Sequence, residues 1–158
     1  MSRYLPILNY LYRSAVMVEG VLGVCTEGAQ AIVMKDDSVL LIRTTYRPHW
    51  EFPGGKVERG EAPESGAIRE TNEEAGVFVR EIDRKLGTYT QLYLRRSVLI
   101  HVYVAKDWEE RNIWQPTIEI ADRAFFPLSE LPTNISPATK RRIDELASGQ
   151  EKEFSCAW

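Results

Sequence analysis

Residues 55–77, GKVERGEAPESGAIRETNEEAGV, constrain this chain more than any other stretch, because six acidic residues must share a segment that also has to fold. Gly54-Gly55 after Phe52-Pro53 makes a flexible turn and Arg59-Gly60 a second, so residues 53–61 are expected as a loop. Pro63 suits a first helical turn, Glu61 and Glu64 suit its positive end, and Gly76 is placed to close the other end. The pattern predicts a helix from about residue 62 to about residue 75.

At about 100° per residue, Glu70, Glu73 and Glu74 fall within an arc of roughly 100° on that helix. Like charges at this spacing weaken an isolated helix by a few tenths of a kcal/mol per pair unless something cationic sits between them. Arg69 can pair with Glu73 across one turn but cannot neutralise all three. Hard divalent cations bound through oxygen can, and Mg²⁺ typically takes one or two carboxylates while keeping waters and binding substrate phosphates. The preceding loop adds backbone groups close by, the Gly55 carbonyl among them.

Gly55, Glu61, Arg69-Glu70, Glu73-Glu74, Gly76 and Val77, at these offsets, resemble the Nudix box, the signature of hydrolases acting on nucleoside diphosphates linked to another group. Every charged and glycine position matches. Thr71 departs, standing where the pattern asks for an aliphatic residue, and is expected to loosen helix packing. The competing account of the same residues is a solvated acidic helix face.

Length fits one domain with a substantial core: 158 residues, 44% hydrophobic and 27% charged. A net charge of −3 argues against a general nucleic-acid surface, so a small-molecule nucleotide substrate is the expected partner. Cys25 and Cys156 cannot make a disulfide framework and lack metal-site spacing, which fits reduced thiols in a cytoplasmic protein. His49 and His101, the only histidines, exclude a His-rich zinc site.

Residues 3–24 are the most apolar stretch, yet Arg13 and Glu19 interrupt it and no cleavage site follows, so neither a membrane span nor a signal peptide is expected. Leu5, Leu8, Leu11, Tyr12, Ala15 and Val16 suit an amphipathic helix packed on the domain or on a second subunit of a homodimer. Residues 1–27 are thus a helical extension, 28–148 the Nudix-like domain and 149–158 a tail without assignment. Within the domain, Ala31–Met34 and Val39–Ile42 are expected as a hairpin of the central sheet, turning at Asp36-Asp37. Val77–Tyr89 and Ser97–Ala105 are further strands linked by residues 91–96, where Tyr93, Arg95 and Arg96 either reach phosphates or are solvated. Residues 107–117 are expected as a loop, Arg123–Phe126 as a short strand ended by Pro127, and Pro137 to about residue 148 as a helix. The fold class is α/β (α+β), and the resemblance implies an α/β/α sandwich with a mixed sheet between helices.

A diphosphate resists water because its oxygens are negative, so an enzyme must neutralise that charge and supply a better nucleophile. The resemblance implies a Mg²⁺-dependent hydrolase, with Mn²⁺ an alternative, in which water attacks phosphorus of a nucleoside triphosphate or nucleotide sugar. Metal would be held by Gly55, Glu70 and Glu74, with Glu73 either sharing it or pairing with Arg69, and Glu61 either supporting the loop or binding through water. Arg69 and Glu73 are the catalytic candidates within the box. Glu119 is the candidate general base from outside it, with Asp122 as rival. Arg43, Arg47 and Trp50 form a basic and aromatic substrate wall, by fork-like phosphate bonding and base stacking, while Phe52 is expected in the core. The run Glu51–Lys56 is similar to the Nudix branch that cleaves nucleoside triphosphates, oxidised guanine nucleotides included. A regulatory Nudix module that binds a nucleotide without hydrolysis is the alternative, though such modules commonly lose the carboxylates kept here.

Overall fold

The computed structural model describes residues 26–93, 96–111 and 113–149. The expected N-terminal helix and the tail beyond residue 149 lie outside these. Ten elements follow in order: β1 (Thr26–Ile32), β2 (Met34–Lys35), β3 (Ser38–Thr44), β4 (Trp50–Glu51), β5 (Gly54–Lys56), α1 (Pro63–Ala75), β6 (Val77–Tyr93), β7 (Arg96–Glu110), β8 (Ile120–Pro127) and α2 (Pro137–Ser148). Among the described residues no helix is long and apolar enough to cross a membrane.

Two sheets form the body. One has the order β5-β1-β7-β6, mixed because β1 and β7 run parallel while the other pairs are antiparallel. The other joins β2, β3 and β4, with β8 along the far side of β3. The first sheet lies between the helices. Ala29, Ala31 and Tyr103 meet Ala67 of α1, while Ile32, Leu86, Tyr89, Val102 and Val104 cluster with Ile143 of α2. This alternation follows from the twofold side-chain period of a strand buried on both faces. The mixed α+β architecture expected from the sequence is the one observed.

Several boundaries differ from expectation, each for a tertiary reason. Ala31-Ile32 are not in the hairpin; they pair with β7 in the first sheet, and only Met34-Lys35 pair with β3, because the chain changes sheets at Val33. Gly54–Lys56 is a strand rather than loop, paired with Gly28, Ala29 and Gln30. A Cβ on Gly54 would stand 2.3 Å from the Ala29 carbonyl oxygen, so this pairing needs glycine. The expected link at residues 91–96 is mostly strand, with Gln91 opposite Val98 and Tyr93 opposite Arg96. Residues 107–110, expected as loop, continue β7, where Arg80 on β6 pairs with Asp107 and Glu109. β8 begins at Ile120, three residues early, after a register shift that pairs Arg43 with Asp122 but Thr44 with Ile120.

α1 closes as its sequence suggests: Pro63 is in the first turn, and Gly76, at φ 63°, donates its N–H to the Asn72 carbonyl at 3.0 Å. Thr71 is fully buried and its hydroxyl donates to the Ala67 carbonyl at 2.7 Å, so the departure from the aliphatic pattern leaves that polar atom satisfied. α2 is fastened by buried charge. Arg142 is 1% exposed, bonds Glu145 at 2.8 Å and lies 3.8 Å over the Tyr89 ring, whose hydroxyl also donates to Glu145 at 2.9 Å.

Candidate active site

Carboxylates converge from three parts of the chain: Glu70 and Glu74 on α1, Glu51 on β4, and Glu119 in the connection before β8. Their mutual repulsion is legible in their acidity. Glu74 is pushed up to about 8, first by burial and then by the charges of Glu70, Glu119 and Glu51, against one stabilising N–H from Gly54. Glu70 is also raised, chiefly by burial, with Glu73 and Glu119 adding to it and Arg69 opposing it. Burial likewise raises Glu51, opposed by Arg47, whose guanidinium lies 3.4 Å from its carboxylate.

β5 is the surface on which these groups rest. The Gly54 N–H donates to Glu74 Oε2 at 2.8 Å. A Cβ on Gly55 would stand 2.7 Å from the carboxyl of Glu70, so glycine there lets that carboxylate lie directly on the strand. The Gly55 carbonyl oxygen would be 3.2 Å from a Cβ on Gly28, so a side chain at 28 would crowd it.

Arg69 braces the loop against the helix. It bonds Glu61 at 3.0 and 3.1 Å, Glu70 at 2.9 Å, Glu73 at 3.3 Å and the Lys56 carbonyl at 3.1 Å. The expected Arg69–Glu73 pair is therefore present but is the longest of the set. Glu61 also accepts the Glu58 N–H at 2.9 Å, and the Arg69 guanidinium foremost holds its carboxyl below the usual range. Glu73 keeps 56% of its side chain exposed against 16% for Glu70, which makes Glu70 the inward ligand candidate and Glu73 the rim one.

Glu119 reaches the cluster on a short, well-tied segment. Its carbonyl accepts the Thr45 N–H at 2.8 Å, Thr45 Oγ1 donates to the Ile118 carbonyl at 2.9 Å, and the Tyr46 hydroxyl donates to Glu119 Oε1 at 3.3 Å. Asp122 is spent differently, in an ion pair with Arg43. Arg43 also lies 5.9 Å over the Trp50 ring, which packs edge-on against Phe126 at 4.8 Å. Arg43, Arg47 and Trp50 thus gather on β3, β4 and the chain between them, each already with a protein partner. Phe52 is fully buried, as expected of a core residue.

Glu51 and Trp114 are not among the site residues expected from the sequence, and Tyr46, which falls within the expected substrate wall, instead bonds Glu119. Glu51 had one signal, a carboxylate set between Trp50 and Phe52 immediately before the glycine run. Trp114 donates its indole Nε1–H to the Glu74 carbonyl at 2.8 Å.

The donor chemistry fits a hard divalent cation. Among the described residues no three acidic, His or Cys side chains already surround one point, and Arg69 bonds both Glu70 and Glu73. Clustered carboxylates and a carbonyl are nevertheless the oxygen donors such ions take, and a cation would offset the burial, and then the neighbouring charges, that keep Glu74 from ionising.

Comparison with known proteins converges on one family. The NUDIX domain model matches residues 26–146. A Bacillus subtilis (strain 168) protein provisionally named an 8-oxo-dGTP diphosphatase is 28% identical over 127 residues, 80% of this chain and 83% of that one. The 8-oxo-dGTP diphosphatase of Proteus vulgaris is 31% identical over 85 residues, 51% of this chain and 75% of its own. Other curated relatives are matched over 39% to 58% of their length. Among solved structures, the MutT NUDIX hydrolase of Burkholderia pseudomallei superposes with a TM-score of 0.69 at 25% identity, covering 78% of this chain and 98% of that one. With the model spanning both sheets and the acidic helix between its glycines, the chain belongs to the Nudix hydrolase family.

Proposed function

We propose that the protein is a metal-dependent nucleotide pyrophosphohydrolase that cleaves the diphosphate linkage of a nucleoside triphosphate by attack of water on phosphorus. The observation that carries this reading is the convergence of Glu51, Glu70, Glu74 and Glu119, with Glu74 held too acid-weak to ionise alone at neutral pH. Bound Mg²⁺ or Mn²⁺ supplies charge neutralisation of the phosphate oxygens and a more acidic water.

The chain's own residues do the rest. Glu70, Glu74 and the Gly55 carbonyl hold the cation, with Glu73 at the rim. Arg69 keeps Glu70 and Glu61 in place rather than acting on substrate. Glu119, outside the box, accepts the proton of the attacking water, because carboxylates engaged with metal are poor bases. Arg43 and Arg47 orient phosphates and Trp50 offers its ring to the base, in exchange for their present partners.

The triphosphate branch is favoured by the run Glu51–Lys56 and by the names of the relatives matched over most of their length. The test is a panel of 8-oxo-dGTP, dGTP, ATP, ADP-ribose and UDP-glucose with Mg²⁺, products identified by mass. Monophosphate and pyrophosphate from a triphosphate support the reading. Cleavage of the sugar nucleotides alone would move the substrate class, and tight nucleotide binding without turnover would make the protein a binding module.

A further inference from the structure

We infer that Trp114 is a positioning residue, a latch that sets Glu119 against the carboxylates of α1 by tying the connection between β7 and β8 to the end of that helix. The inference rests on reading Glu119 as the base. Residues 113–119 are exposed except for Trp114, which is half-buried and packs against the apolar cluster that includes Ala75, Val77, Val79 and Ile120.

Two contacts make the latch. The last turn of a helix leaves carbonyls without intrahelical partners, and the Glu74 carbonyl, in the final turn of α1, takes its hydrogen bond from the Trp114 indole N–H at 2.8 Å. The ring also lies over the glycine that ends the helix, its Cδ1 3.6 Å from where a Cβ on Gly76 would stand. Trp114 thereby touches the backbone of the same residue whose carboxylate rests on the Gly54 N–H.

Between the latch and the base lie four residues, 115–118, stiffened by Pro116 and by Thr117. Thr117 Oγ1 accepts the N–H of Glu119 at 3.2 Å and of Ile120 at 2.9 Å, and the Thr117 N–H donates to the Ile120 carbonyl at 2.9 Å. Beyond them, Tyr46 holds the Glu119 carboxylate itself. Thr45 holds the backbone of Ile118 and Glu119 from the other side, and the latch fixes the end of the segment that Thr45 does not reach. Misplacing a reacting group by about 1 Å can lower a rate on the order of 10²-fold.

Trp114→Phe keeps an aromatic ring at this place but loses the N–H donor and some of the ring's bulk. Hydrogen exchange followed by mass spectrometry is expected to show the hydrogen-bonded amides of Thr117, Glu119 and Ile120 exchanging roughly tenfold faster in this variant, with β1 and β7 unchanged; no change at these amides overturns the latch without any need of a substrate. With 8-oxo-dGTP and Mg²⁺, Trp114→Phe should lower kcat about tenfold with KM nearly constant, and should add no further loss in a Glu119→Gln background. An equal loss in both backgrounds would make Trp114 merely structural and overturn the proposal. Full kcat in Glu119→Gln would overturn the base assignment and, with it, the purpose of the latch. A low kcat in Glu119→Gln beside a silent Trp114→Phe would overturn the latch alone. Tyr46→Phe, which releases the far end, takes the place of Trp114→Phe in the cycle if the latter fails to fold.

Discussion

The backbone N–H of Gly54 donates to the carboxylate of Glu74 at 2.8 Å, joining a strand to the helix that follows it. It is the one hydrogen bond found favouring the charged form of a carboxyl that burial and three neighbouring acids hold protonated. A carboxyl so placed is one whose ionisation a nearby cation would favour, and the consequences can be measured.

Glu74→Gln keeps the shape and loses the charge. Hydrolysis should fall on the order of 10²-fold or more, while circular dichroism and Tm stay near those of the parent. Near-normal turnover would remove Glu74 from the metal site.

In metal-free protein the acidity of Glu74 couples to stability. Its folded pKa of about 8 lies above the ordinary 4.5, so the folded state holds a proton that the unfolded state has released. Stability from this group is complete below pH 4.5 and is lost as pH rises towards 8. Tm in EDTA should fall across that window by several degrees, roughly 2–4 °C per kcal/mol. Mg²⁺ should reverse the fall, and Glu74→Gln should flatten it. A Tm that climbs steadily from pH 5 to 8 in EDTA would contradict the arrangement.

Glu119→Gln should lower kcat by roughly 10²-fold, within the range for general base catalysis, with a smaller effect on KM. Asp122→Asn should do much less to kcat, because Asp122 is engaged with Arg43. Steady-state kinetics of the two variants in parallel would expose the reverse ranking, which would return the base role to α1.

The two glycines of β5 should separate fold from site. Gly54→Ala drives a Cβ to 2.3 Å from the Ala29 carbonyl at a φ of 152°, so it should destabilise the protein. Gly55→Ala instead meets the carboxyl of Glu70 at 2.7 Å, a side chain that can move. It should leave Tm within a few degrees and weaken Mn²⁺ binding by isothermal titration calorimetry. Equal Tm losses for both would deny this division.

Arg142→Met tests the fastening of α2. It leaves Glu145 buried without its cation and removes the stack on Tyr89. Breaking such a pair costs about 3 kcal/mol, a fall in Tm of roughly 6–12 °C, read by calorimetry. An unchanged Tm would show α2 to be held by its apolar face alone.

How far the chain explains itself from its letters depends on how local each device is. α1 was legible because Pro63 and Gly76 punctuate it and its glutamates repeat on one face. The full lengths of β6 and β7 were not, since register shifts between Val79 and Glu81, Ile82 and Arg84, and Lys85 and Gly87 blur the twofold alternation. β5 was hidden for a related reason: glycines carry no strand pattern, and only β1 beside them makes a strand of Gly54–Lys56. The box carboxylates could be placed on one side of a helix by counting. That Glu51 and Glu119 face them could not, because that nearness is made by two sheets meeting.

The register shift in β8 works as slack. With Arg43 opposite Asp122 and Thr44 opposite Ile120, Ala121 is the extra residue, and two steps of β8 answer one step of β3. Deleting Ala121 would restore a regular ladder with Ile120 still opposite Thr44 and the Glu119 carbonyl still beside the Thr45 N–H. The pairing of residue 119 therefore survives the loss, while the extra twist that a bulge gives a strand end does not. Loops usually forgive changes of length. This strand end should forgive the length as well, and register the change only in the direction from which its glutamate approaches.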